Sequence, residues 1–155
     1  MKKYEFTGET KTVPLLFGDV TLHRIQAITS FANVVAGEFG GWIEKEENLS
    51  HVGSAWVSGN AQVYGNARVY GNARVSGDAE VFSTRHVLVI GAIGSRDAFT
   101  TFYRDKDNEI TVKCGCFSGK IDKFLEKVAQ THGDSKYAQV YKKAVELAKL
   151  QILTD

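Results

Sequence analysis

The chain has 155 residues, a length for one domain or for two small units sharing a core, and long enough to stay folded without a disulfide framework. Nineteen Lys and Arg against eighteen Asp and Glu leave a formal charge of +1, which supplies no long-range field for gathering a nucleic-acid polymer or an anionic membrane. Fifteen glycines with a single proline, Pro14, exclude a Pro/Gly disordered tract.

Residues 1–36 read as a β cap, with short strands over Lys3 to Thr7 and Val20 to Ile28. The opening Met1-Lys2-Lys3-Tyr4-Glu5-Phe6 lacks the apolar core of a signal peptide. No run approaches the ~18 apolar residues of a membrane span, and a cytoplasmic protein is expected.

Residues 37–96 carry a period of six. Ala55-Trp-Val-Ser-Gly-Asn60, Ala61-Gln-Val-Tyr-Gly-Asn66, Ala67-Arg-Val-Tyr-Gly-Asn72, Ala73-Arg-Val-Ser-Gly-Asp78 and Ala79-Glu-Val-Phe-Ser-Thr84 share the pattern Ala-x-Val-x-Gly-Asn. Six matches neither the helical spacing of three and four nor the strand spacing of two. Ala and Val two apart suit a short strand with both side chains inward, and Gly-Asn suits a corner. The phase continues weakly through Val87, Ile93 and Phe99, and the irregular stretch Lys45 to Ser54 interrupts it upstream. An 18-residue stack places Tyr64 beneath Phe82.

Residues 97–155 form a third unit. Phe99 to Arg104 and Glu109 to Phe117 flank a polar turn and predict a β-hairpin. Asp105, Asp107 and Glu109 resemble a calcium loop only superficially, because Ile110 and Cys116 stand where Gly and Glu are needed. Ile121, Phe124, Leu125 and Val128 then mark one helix. Thr131-His-Gly-Asp134 marks a stop, and Tyr137 through Ile152 a second helix. Cys114 and Cys116 are too close for an easy bridge and are expected to be free.

The hexads resemble those of hexapeptide-repeat left-handed β-helix proteins, in which three hexads make one triangular coil. Gly37-Glu-Phe-Gly-Gly-Trp-Ile-Glu44, Asn48-Leu-Ser-His51, Leu88-Val-Ile-Gly-Ala-Ile-Gly-Ser-Arg96, Cys114-Gly-Cys-Phe-Ser-Gly119 and Thr131-His-Gly-Asp134 extend the likeness to a family of functionally unassigned bacterial and phage proteins. The resemblance implies a mainly β protein: a left-handed parallel β-helix of about three coils over 37–96, with a β-hairpin and a helical hairpin behind it. It also implies a homotrimer in a bacterial host cell.

For function, Gly91-Ala-Ile-Gly94-Ser95-Arg96 offers a turn whose backbone N–H groups can form an anion nest. Arg96 and Arg104 can pair with phosphate, and Thr100, Thr101 and Tyr103 can hold the rest of a nucleotide. The expectation is a non-enzymatic binding protein for a small anionic ligand, a nucleotide second messenger, at Ser95, Arg96, Thr100, Thr101, Tyr103 and Arg104. In a phage setting this becomes a sponge against host immune signalling. Two alternatives stand beside it: an acyltransferase with His86 as its general base, and a structural or assembly trimer. Neither a phosphate-loop nor a metal-knuckle spacing is present, so no cofactor and no metal are expected.

Overall fold

A computed structural model describes residues 1–152. In chain order the elements are β1 (Tyr4–Val13), β2 (Val20–Ala27), β3 (Phe39–Ile43), β4 (Trp56–Val57), β5 (Gln62–Val63), β6 (Arg74–Val75), β7 (Glu80–Val81), β8 (Val87–Ile93), β9 (Ala98–Arg104), β10 (Ile110–Cys114), β11 (Phe117–Lys120), α1 (Ile121–His132) and α2 (Lys136–Gln151). They make a five-stranded mixed sheet in the order β1-β2-β3-β5-β7, a four-stranded antiparallel sheet β11-β10-β9-β8, and a two-stranded parallel pair β4-β6.

This arrangement corrects the β-helix expectation: the sheets stay separate and none forms a solenoid. The physical reason lies in how little strand each hexad supplies. Four of the five hexads contribute two residues each, divided between two sheets, and Ala67 to Asn72 contributes only an isolated bridge from Val69 to Leu49. The 18-residue spacing holds locally, pairing Trp56 with Arg74 and Gln62 with Glu80 in parallel. Upstream it lengthens to 20, with Trp42 opposite Gln62. Downstream it ends, because Val87 to Ile93 is an antiparallel strand paired with β9 rather than a further hexad.

The Ala and Val positions nevertheless point inward. Ala55, Val57, Ala61, Val63, Ala73, Val75, Ala79 and Val81 are buried in one apolar cluster that also takes in Tyr4, Ile25, Ile43 and Tyr103. The hexad glycines at the corners hold φ between 60 and 64° at Gly59, Gly65, Gly71 and Gly77, a left-handed conformation that glycine adopts without a Cβ penalty. Tyr64 stacks on Phe82 with ring centroids 5.2 Å apart.

A second apolar cluster fills the space between the antiparallel sheet and the helices: Phe102, Val112, Phe124, Val128, Ala138, Tyr141, Val145 and Ala148. β9 lies between the two cores. Side chains alternate across a strand, so Tyr103 enters the first cluster and Phe102 the second. Complete burial of a side chain such as Phe102 stabilises by roughly 1.5–3 kcal/mol relative to exposure.

The helical hairpin follows its predicted limits, with α1 closed at Gly133 and α2 opening after Ser135. The edge strand β11 is distinct from β10, where the sequence reads one run over Glu109 to Phe117. Within β2 the buried residues are Leu22, Ile25 and Ala27. Strict alternation breaks between Leu22 and Ile25, where the pairing of β2 with β1 and with β3 shifts register. Among the described residues, no helix is long and apolar enough to cross a membrane.

Candidate functional site

A concave feature lined by two cations and no carboxylate lies where the hexads meet the antiparallel sheet. Ala73 and Val75 are buried in the core, so Arg74 between them projects outward. Its backbone N–H donates to Thr101 Oγ1 at 3.0 Å, which ties β6 to β9. Its guanidinium Nη1 donates to Asn33 Oδ1 at 2.8 Å. Asn33 sits in a tight turn closed by reciprocal backbone hydrogen bonds between Phe31 and Val34, with Ala32 in the left-handed region at φ 47°.

Lys113 completes the arrangement. It is the cross-strand partner of Thr101, and its neighbour Val112 is buried in the helix-side core, so Lys113 faces the hexads with Arg74. Arg74, Lys113, Asn33 and Thr101 line a cleft of about 380 Å³ together with Ser54, Asn72 and Phe99. Among the described residues no carboxylate comes within ion-pair distance of Arg74 or Lys113. Burial lowers the pKa of Arg74, and the charge of Glu38 partly offsets that.

A third cation lies close behind. Lys3 is 5% exposed, and its ammonium donates to the carbonyls of Gly53 and Ala55 at 3.2 and 2.6 Å while lying over the Phe31 ring. Burial, with a smaller contribution from Arg74, lowers its pKa to about 8. Packing positive groups together without paired carboxylates is electrostatically unfavourable. An anion bound there would relieve it.

The residues expected from the sequence do not form one site. Thr100 and Thr101 are adjacent on β9 and point to opposite faces. Thr100 is buried and donates to Cys114 Sγ at 3.3 Å, while Thr101 alone reaches the cleft. Tyr103 is buried with its hydroxyl 3.5 Å from Ser76 Oγ, and burial raises its pKa. Arg104 is occupied: Nε donates to Asn108, Nη1 donates to the Glu80 carbonyl, and the guanidinium lies over Phe82. Ser95 and Arg96 are exposed at the β8–β9 turn, at the end of β9 opposite Arg104 and about 20 Å away along the strand. The expected nest there is partly covered, because a Cβ on Gly94 would stand 2.0 Å from the Tyr141 hydroxyl.

His86, the general base of the acyltransferase alternative, is 5% exposed. Its Nδ1 accepts from the Phe82 backbone N–H at 3.2 Å, and burial with the nearby Arg104 lowers its pKa. A buried imidazole held by a backbone N–H four residues upstream is poorly placed to take a proton from a thiol substrate. Lys120 explains the acidic turn: its ammonium lies 3.1, 2.8 and 2.8 Å from Asp105, Asp107 and Glu109, filling the space between the three carboxylates. Both cysteines are free. A larger hollow of about 630 Å³ lies beside Glu46, Glu47, His51 and Arg68 and so carries charges of both signs; His51 bonds Glu46 there at 3.0 Å.

Sequence reasoning missed Arg74, Lys113 and Asn33. Two signals were present: the 18-residue spacing sets Arg74 beside Trp56, and hairpin register around the 105–108 turn sets Lys113 opposite Thr101. No protein-family model matches the chain, and no curated protein matches it significantly. Neither the family resemblance to hexapeptide-repeat bacterial and phage proteins nor the β-helix it implied is supported by these comparisons and the sheet topology.

Proposed function

We propose that the protein is a non-enzymatic binding protein that captures a small anionic ligand, a nucleotide, in the cleft between β6 and β9–β10. The supporting observation is the pairing of Arg74 with Lys113 in a concave site, neither of them in an ion pair among the described residues. Guanidinium and ammonium together favour phosphate: the first supplies a planar fork and the second a point charge. The side chains around them are amides, hydroxyls and an aromatic ring, with no nucleophile held by a general base, which suits capture without turnover.

Calorimetry with AMP, ADP, ADP-ribose and 3′,5′-cyclic nucleotides tests this reading. At least one is expected to bind, to lose tenfold or more in affinity with Arg74→Ala or Lys113→Ala, and to be recovered unchanged after denaturation. Absence of binding by all of them, or chemical conversion of the ligand, overturns it.

A further inference from the structure

The cleft is one half of a larger depression. A second lobe of about 230 Å³ shares Asn33, Arg74 and Lys113 with the first and continues to the other side of Arg74. The cations therefore sit at a waist, not at an end. The two lobes also differ in chemistry. The first offers the ring of Phe99, which lies directly against Gly91 and is 42% exposed, with the methyl groups of Ala32 and Ala98. Such a surface accepts a flat ring by stacking. The second offers the hydroxyls of Ser58 and Ser76 and the carboxylate of Glu38, acceptors suited to the hydroxyls of a sugar. Trp56 forms part of that lobe's wall and is 3% exposed, and its indole N–H finds no acceptor among the described residues.

We infer that the ligand is an internally esterified phosphate, a phosphodiester or pyrophosphate with a flat base on one side and a polyol on the other. This inference rests on the anion-capture reading and adds the order of groups along the ligand. A terminal phosphate would satisfy the waist and leave one lobe empty. A bridging phosphate fills both, and the combined volume lies within the ~300–1,000 Å³ of ligand sites. Glu38 also discriminates, because it lines the second lobe together with Arg74, and its negative charge disfavours a further anionic group there.

Three probes separate the parts when titrated at one ionic strength, with tryptophan fluorescence or calorimetry as the readout: inorganic pyrophosphate for the waist, ADP for the waist and the first lobe, and ADP-ribose for all three. Affinity is expected to rise at least fivefold at each step. Phe99→Ala is expected to abolish the gain of ADP over pyrophosphate, and Glu38→Gln the gain of ADP-ribose over ADP. Binding of the three probes within twofold of one another overturns the bridging arrangement and leaves the capture reading standing. Binding of none overturns both.

Discussion

Arg74 donates from Nη1 to Oδ1 of Asn33 at 2.8 Å, across a sequence separation of 41 residues. This contact holds the guanidinium of a two-residue strand over the cleft, and an uncharged amide is its only side-chain partner among the described residues.

Replacing Arg74 by methionine removes a partly desolvated cation without breaking an ion pair among the described residues. Stability is expected to stay within ~0.5 kcal/mol of the parent or to rise, as for sites kept for function rather than folding. Anion affinity falls in the same variant. Thermal melts without ligand, beside the titration, check this; a loss of several degrees with affinity intact would contradict it.

Lys3 gives the fold a signature at alkaline pH. Its pKa in the folded protein is about 8, below its ordinary value, so the unfolded chain binds more protons between about pH 8 and the range where free lysine titrates. Stability therefore rises with pH from about 8 towards 10. Above that the buried tyrosines oppose it, because burial raises the pKa of Tyr4 and Tyr103. Urea unfolding of the parent and Lys3→Met at pH 7, 8, 9 and 10 should show the slope in the first and a flatter profile in the second.

The acidic turn should depend on its buried member. Asp105 is 3% exposed; Oδ1 accepts from the backbone N–H groups of Asp107 and Glu109, and Oδ2 from Thr111 and Lys120. Burial by itself raises its pKa, yet these donors outweigh burial and leave it below the ordinary value. Its contribution is thus present at neutral pH and lost as pH falls through the carboxylate range. Asp105→Ala should cost about 3 kcal/mol by leaving several donors unpaired, with the deficit shrinking below about pH 4. Denaturant curves at pH 7 and pH 3 measure both.

Gly94 combines a φ of 82° with the Tyr141 hydroxyl over the space a side chain would need. Gly94→Ala should cost about 2 kcal/mol or more from backbone strain and overlap together. Tyr141→Phe in the same chain should recover part of that cost, because the closest atom is the hydroxyl oxygen. A double-mutant cycle with zero coupling would refute the overlap.

Local patterns were legible in the sequence; the way they assemble was not. Val63 and Val81 are buried where the hexad places them, and Tyr64 meets Phe82 at the expected spacing. Phe124 and Val128 mark a helix by their period. A six-residue period cannot reveal that its strands stop after two residues, nor that Val87 leaves the parallel stack for an antiparallel partner, since strand pairing depends on segments distant in the chain. The site was misjudged for a related reason. Thr100, Thr101 and Arg104 form a convincing run when read linearly, but alternation and the pull of Glu80 and Asn108 on Arg104 disperse them. Thr101 remained, and its partners came from three other segments.

The attachments of the N-terminal strand bear on the order of folding. Lys3 and Tyr4 bond to His51, Ala55 and Leu49, across 48, 52 and 45 residues. β1 pairs locally with β2, but these three bonds wait for the hexads, and closing so long a loop is slow. The Lys3 and Tyr4 bonds to the hexad side should form after the rate-limiting barrier. Truncating Tyr4 to alanine would then speed unfolding and leave the refolding rate nearly unchanged, a φ-value near zero in stopped-flow kinetics.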